Sequence, residues 1–508
     1  MELELERTQM NGYESLLNTT VLREETLEMI VPDACPDILR IVETDGMALL
    51  RSKEAQDGRA EVSGTVKAAV LYLPDGESGM RHLEVELPFS CAAEHRDLGP
   101  SCSVTACVRV RHIDARAVNP RKILVRAEAA VDIQAFTPMT DSLCDKVVCA
   151  PEAGMQQLTE TQDVYVTACV QEKPFPFSDE ITLPGSKPAA AELLKTRAEL
   201  CCNESKIIGN KLIFKGSANV QLLYRGVDDG VYTGSSELSF SQILEVSGVG
   251  EGADCDLTLA LAGASFSLIS GGDGRTVTAS LDLLAQAVVR EERTVDLLTD
   301  AYSTAQPLAA ERSEYRLERR VDVGVRAQNT REIWEIGAAA RDVIDCHLSL
   351  GQVTRSREGE KLTLTAETEV TVLYAGEDGG VYSVQRQMPV LCTLELPENC
   401  DCFCRCENVG DVYATPAAGG VEVRFTLDFR YCALAARQVA GVSALHPGEV
   451  PEAEGDQPSL VLRMLETGER LWDVAKAYST TIADIMSANE LSEENAAQGR
   501  LLLIPRKR

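Results

Sequence analysis

The chain has 508 residues, 44% of them hydrophobic and 25% charged, with 17 cysteines and a net charge of −30. At about 100–200 residues per domain this length predicts three to four domains, with enough apolar material for real cores. Phosphate backbones and anionic lipid surfaces repel so acidic a chain, and its longest basic run is Arg506-Lys507-Arg508, so no nucleic-acid partner is expected.

The amino terminus, MELELERTQM, is acidic and interrupted, unlike the basic start and apolar run of a signal peptide. No stretch reaches about 18 uninterrupted apolar residues. The expectation is a cytoplasmic chain with no direct membrane insertion, whose cysteines are mostly thiols. There is no C-x-x-C, no H-E-x-x-H and no G-x-x-x-x-G-K-[ST], and the five histidines are scattered. Neither a catalytic constellation nor a cofactor or metal site is expected.

Residues 1–21 are read as an amino-terminal segment. Beyond them an internal repeat organises the chain. RAEVSGTVKAAVLYLPDGESG (59–79), KLIFKGSANVQLLYRGVDDGVY (211–232) and KLTLTAETEVTVLYAGEDGGVY (361–382) align without gaps up to a tyrosine. Those tyrosines, Tyr72, Tyr224 and Tyr374, are 152 and 150 residues apart, a period that means duplicated domains, since solenoid repeats run about 20–50 residues. Alternation rich in Val, Leu and Thr predicts strands, and the Asp/Gly clusters at 75–76, 228–230 and 378–380 predict hairpin turns. A second β-rich pair follows in each copy, at 103–133, 256–289 and 409–434; Gly271-Gly272-Asp273-Gly274 lies inside the second and reads as a hairpin turn. Upstream of each repeat lies a less regular start: IVPDACPDILRI (30–41), TLPGSKPAAAELLKT (182–196) and, more weakly, IGAAARDVIDC (336–346). The fold class is therefore mainly β, with three antiparallel β domains at 22–140, 165–296 and 315–437.

The run CDCFCRC places Cys400, Cys402, Cys404 and Cys406 at alternate positions. On a straight strand such residues share one face about 6.6 Å apart, whereas two thiolates on one tetrahedral zinc, each at about 2.3 Å, lie within about 4 Å of each other. A straight strand cannot close this set around one ion; a bent loop, or ligands from elsewhere, could. The run fills the slot that SCSVTACVRVRHIDA and DCDLTLALAGASFSL fill in the other copies, which favours a buried strand face.

Residues 438–458, rich in Pro, Gly and acidic side chains, read as a linker. After it, residues 459–508 follow the order strand–helix–helix–strand, an α+β (βααβ) module. Val461–Met464 and Leu501–Ile504 are the strands; Leu471, Val474, Ala475 and Tyr478 follow helical spacing; Thr481 with Asp484 starts a second helix that Asn489 ends in a left-handed conformation.

This last stretch resembles a LysM domain in Thr467-Gly468-Glu469, Leu471-Trp472, Ala475, Tyr478, Thr481, Ile485, Asn489, Gly499, Leu503 and Ile504-Pro505. The resemblance implies a shallow groove that binds N-acetylglucosamine glycans, formed here by Thr467, Gly468, Glu469, Arg470 and Leu471 in one loop and Asn489, Glu490 and Leu491 in the other, with Ile482 beside them. Two departures stand out. The usual Gly-Asp-Thr-Leu reads Gly468-Glu469-Arg470-Leu471, and the second loop carries Glu490, Glu493 and Glu494. Such a groove suits a charged protein surface at least as well as a neutral sugar. Trp472 reads most simply as core packing.

The repeats, with the start Pro32-Asp33-Ala34-Cys35-Pro36-Asp37-Ile38-Leu39 and the Val-Leu-Tyr hairpin, resemble the SPOCS domain of clostridial sporulation proteins; the third copy lacks the Pro-Asp start. Three such units and one LysM resemble the SipL-like spore-coat morphogenetic family. That resemblance implies a non-enzymatic adaptor in the mother-cell cytosol at the forespore surface. Its LysM would bind a coat ATPase of the SpoIVA type, alongside other coat proteins. The other reading is a protein that binds peptidoglycan or cortex glycan.

Overall fold

The computed structural model describes residues 3–250, 252–269, 271–337, 339–448, 460–466, 468–494 and 498–505. The first unit contains β1 (Leu3–Ile30), β2 (Ile38–Gln56), β3 (Arg59–Pro74), β4 (Arg81–Glu94), β5 (Ser103–Asn119) and β6 (Lys122–Cys149). A short 3-10 turn, Pro151–Ala153, leads to the second: β7 (Met155–Thr182), β8 (Ala190–Ile208), β9 (Lys211–Gly226), β10 (Val231–Glu245), β11 (Asp254–Leu268) and β12 (Thr276–Ser303). The third repeats the order with two strands broken: β13 (Leu308–Glu335), β14 (Ala340–Glu358), β15 (Lys361–Gly376), β16 (Val381–Gln387), β17 (Val390–Glu395), β18 (Asp401–Asn408), β19 (Tyr413–Ala417) and β20 (Gly420–Pro447). Pro389 lies between β16 and β17.

In each unit an antiparallel meander, β2-β3-β4 in the first, covers a second sheet made of the first, penultimate and last strands. The expected repeat strands are the middle of each meander. Their alternation buries Val62, Val66, Ala68, Val70 and Tyr72 against Val125, Ala127, Ala129, Val131 and Ile133 of β6. The turns form as their residues demand: Gly76 and Gly379 take φ of 74° and 80°, and Asp229 takes 63°. In the Gly271–Gly274 turn, φ is 75° at Gly271 and 70° at Gly274. Tyr72 and Tyr224 donate to the carbonyls of Pro36 and Pro188, each at 3.3 Å, which gives the Pro-containing starts of the first two copies a structural role.

The first and last strands of every unit are 28 residues long, about 90 Å of extended chain. They pair from end to end, Leu3 with Cys149, Met155 with Ser303 and Leu308 with Pro447. Only half of each pair belongs to a sandwich. The other halves project as two-stranded ribbons, and the three ribbons pack together through Met10, Leu143, Val164, Val166, Val295, Leu297 and Leu317. Further along, Cys144, Val147, Leu298, Ala301 and Val442 close the same stem. Three β heads therefore stand on one shared stem.

The ribbons correct the expected boundaries. Residues 3–21, read as a separate segment, are the stem half of β1, and the limits 22–140, 165–296 and 315–437 cut through all three ribbons. The first ten residues of the expected 438–458 linker, 438–447, are strand paired with β13; residues 449–458 lie outside the described residues. QVAGVSALHP looks irregular because a ribbon wedged between neighbours needs small residues as much as large ones. Val442 is fully buried, and a Cβ on Gly441 would sit 2.5 Å from Leu297 Cδ1.

The heads meet along β2, β8 and β14. Val42, Leu194 and Ile344, and behind them Leu71, Leu223 and Leu373, form a pseudo-threefold apolar contact from positions separated by the repeat period.

The cysteine run is strand β18, paired with β20. Cys402 and Cys406 are buried with Cys400, just ahead of the strand, in the third unit's core, and Cys404 packs against it. Burial pushes the Cys402 and Cys406 thiols up to about 12 and raises Cys404 as well. They are protonated at neutral pH and behave as small apolar residues.

The carboxy-terminal module has the expected order: β21 (Leu460–Met464), α1 (Leu471–Ala477), α2 (Ile482–Ala488) and β22 (Leu501–Pro505). The Thr481 hydroxyl caps α2, accepting from the Asp484 N–H at 3.0 Å. The expected left-handed Asn489 is corrected: its φ is −113°, and the next residue, Glu490, takes the left-handed conformation with φ 51°.

Candidate functional site: the LysM groove, its seat on the stem, and the head axis

In the two loops expected to form the groove, most of the described side chains are already engaged. Gly468 has φ 91°, which lets the first loop turn sharply. The Glu469 carboxylate accepts from Arg463 at 2.5 Å. Gln498, which sequence reasoning did not single out, accepts from the Gly468 N–H at 3.1 Å and donates to the Glu469 carbonyl at 2.9 Å. Arg470 lies before α1 with its guanidinium laid bidentate on Asp473, at 3.0 and 2.9 Å. Leu471 is buried in the module core, so its side chain offers no surface to a partner. Thr467 lies outside the described residues.

In the second loop Asn489 spends its whole side-chain amide inside the fold. It donates to the Ile485 and Leu503 carbonyls and accepts from the Leu503 N–H, each at 2.7 Å. Leu491 and Ile482 are half-buried against the module core. Glu490, Glu493 and Glu494 are exposed and form no ion pair among the described residues. Among the described residues these loops present exposed Glu490, Glu493 and Glu494 beside the paired Arg470.

The module is seated on the stem. Trp472 donates from Nε1 to Asp300 Oδ2 at 2.8 Å, and its ring meets Tyr302 edge-on, centroids 4.9 Å apart. Lys476 bonds both Asp300 oxygens at 2.7 and 2.8 Å, Arg312 adds a contact at 3.1 Å, and Tyr302 donates to the Thr480 carbonyl at 2.8 Å. Burial alone would raise the Asp300 carboxyl, but the bonds from Lys476 and Trp472 hold it below its usual range. Trp472 is core, as expected, but of a core shared with β12. No sequence signal pointed to Asp300 or Tyr302, because the contact spans 172 residues.

A second polar centre lies on the head axis. Glu43, Lys195 and Asp345 occupy equivalent positions of β2, β8 and β14, and so do Asp45, Arg197 and His347. Lys195 Nζ is 2.8 Å from Glu43, 2.6 Å from Asp345 and 3.7 Å from Asp45. Arg197 binds Asp45 and the Leu348 carbonyl. Glu43, Asp345 and His347 converge closely enough to suit a cation, but the Lys195 ammonium already stands between the two carboxylates. The centre is a clasp that joins three heads.

Burial and the Arg197 charge push His347 down to about 3. The unfolded histidine titrates at about 6.5. Stability from the neutral ring is thus present above about pH 6.5 and lost as pH falls toward 3. His112 works the other way, since its hydrogen bond to Glu369 raises its pKa. Between pH 7.5 and 5 the thermal midpoint of His347→Gln is expected to fall less than that of the wild type; parallel profiles would contradict the assignment.

A family model of the SipL SPOCS domain matches residues 37–118 and 189–269, and a LysM model matches residues 466–505. Neither a curated protein nor a solved structure matches the chain. The SPOCS matches cover β2 to β5 and β8 to β11 but not the 28-residue strands that enclose them; the third unit lies outside the matched segments yet repeats their strand order. Among the described residues no helix is long and apolar enough to cross a membrane. The β body thus carries SipL-type SPOCS domains and the carboxy terminus a LysM domain, the arrangement of the sporulation family that the sequence resembles.

Proposed function

We propose that the chain is a non-enzymatic sporulation adaptor that attaches coat layers at the forespore surface from the mother-cell cytosol. Its LysM would engage a coat ATPase of the SpoIVA type, with other coat proteins as further partners. The observation that carries this reading is the groove itself. Its amide donor, Asn489, is consumed by the fold, while Glu490, Glu493 and Glu494 stand exposed and, among the described residues, form no ion pair. A neutral glycan needs free hydrogen-bonding groups, whereas a basic protein surface needs such exposed carboxylates. The three-headed body supplies a rigid platform behind it.

The LysM match itself favours a second reading, a binder of peptidoglycan. Co-sedimentation of the full chain with insoluble peptidoglycan, beside its capture by the purified ATPase, separates the two. Reversing Glu490, Glu493 and Glu494 to Lys is expected to abolish the contact and its salt dependence. Retention on peptidoglycan with no ATPase capture would replace the adaptor reading with the glycan one.

A further inference from the structure

We propose that the cavity where the three heads meet the stem binds a small molecule through a phosphate or carboxylate group, held by Arg290. The inference does not rest on the adaptor reading. The cavity has a volume of about 450 Å³, within the range of metabolite sites. It lies where β5, β11 and β18, equivalent strands of the three units, converge. Although the chain carries a net charge of −30, Arg109, Arg290, Arg355, Arg405 and Arg430 line this space against four carboxylates.

Four of those arginines have a reason to be there. Arg405 reaches Thr258 and the Leu257 carbonyl and pairs with Asp256 and Glu407; Arg430 also pairs with Glu407. Arg109 pairs with Asp132 and donates to the Gly351 carbonyl at 3.1 Å, although its Nε–H is left without an acceptor. Arg355 is exposed at the edge.

Arg290 differs from all of them. It is only 8% exposed, its Nε–H is buried without an acceptor, and among the described residues it joins no hydrogen bond or ion pair. Its cross-strand neighbour on β11 is Asp254. That carboxylate is the obvious partner, but it is taken by the Tyr165 hydroxyl at 2.9 Å and by Arg320 at 2.8 Å. On the other side the β7 strand carries an extra residue, Ala168, opposite Val289–Arg290, a bulge of the kind that re-aims a side chain.

A buried, unpaired guanidinium is strongly unfavourable unless something completes it. Its planar fork matches the oxygens of a phosphate or carboxylate in a bidentate pair. The free Arg109 Nε–H offers a further donor at the same cavity.

The test uses the full chain in chloride at constant ionic strength, with inorganic phosphate in one arm and acetate in the other. A ligand that binds only the folded state raises the thermal midpoint with a concentration dependence set by its affinity. The expected result is such a rise in at least one arm, the arm identifying the head group. Phosphate also stabilises any fold by exclusion from its surface, so the readout is the difference between wild type and Arg290→Met. In chloride alone Arg290→Met should be at least as stable as wild type, because a lone buried charge is gone, and its specific anion response should vanish. Arg96→Met, at an exposed site, should keep the full response. Arg290→Lys, which keeps the charge and loses the fork, should weaken binding at least tenfold. Calorimetric titration of the wild type with the same anion should show one saturable site. No saturable binding in either arm, or an equal response in Arg290→Met, would overturn the proposal. A marked loss of stability of Arg290→Met in chloride would overturn it too, since the guanidinium would then be serving the fold.

Discussion

Lys195→Met is expected to destabilise the protein by about 3–5 kcal/mol, the cost of removing one partner from a buried ion pair. Methionine keeps most of the side-chain volume, so the effect isolates charge from packing. The wild-type ammonium lies within 3 Å of Glu43 and Asp345; Glu43 and Lys195 are buried between heads and Asp345 is half-buried beside them. Without it Asp45 and Asp345 add like charge to a site where burial already pushes Glu43 up. The loss should appear as a lower midpoint of urea unfolding and as faster hydrogen exchange in β2 and β14, since the clasp joins heads that share little backbone pairing. Adding Glu43→Gln and Asp345→Asn to Lys195→Met should recover much of the stability, because neutral amides replace the stranded carboxylates. A single variant as stable as the wild type would show that the heads are held by Val42, Leu194, Leu223 and their apolar neighbours alone.

Trp472→Ala is expected to cost about 3–5 kcal/mol locally, the range for truncating a buried aromatic side chain. It empties the space against Tyr302 and removes one of the donors to Asp300. Unfolding of the module and its release from the stem are distinct consequences, and a second variant separates them. Asp300→Ala leaves every contact inside the LysM core in place and removes only the acceptor shared by Trp472, Lys476 and Arg312. It should free a folded module: helical circular dichroism retained, hydrogen exchange raised at residues 298–303 and along α1, and a larger radius of gyration in solution scattering. Unchanged exchange at the stem tip in Asp300→Ala would mean that the Tyr302 contacts hold the seat without the carboxylate.

Local patterns settled much of the architecture in advance. Alternation with a Leu-Tyr pair and an Asp/Gly turn defined the middle strand of each head, since a two-layer β fold needs one face buried and a turn at its end. The LysM elements were equally legible, from helical spacing and from the Thr481 cap. Alternate cysteines were legible as a strand face because they fill the slot that ordinary strand residues fill in the other two copies, and on a straight strand they cannot close on one ion.

What sequence could not decide were contacts between units. The ribbon halves of the long strands were read as a leading segment and a linker, because packing against two other ribbons relaxes the demand for alternating large apolar residues; Gly441 and Val442 are buried by neighbours far away in the chain. Glu43, Lys195 and Asp345 look like solvated charges in three separate strands, and only the pseudo-threefold axis makes them a buried clasp. Arg470, Leu471 and Asn489 followed from the module's pattern, yet their partners Asp473, the core and the Leu503 backbone determine how much of each is left to bind anything. Local propensity and periodicity are properties of neighbouring residues and can be read along the chain. Burial of charge, the seat of the LysM on Asp300 and the unpaired state of Arg290 depend on which distant surfaces meet, and those are decided only when three copies of one design close around a common axis.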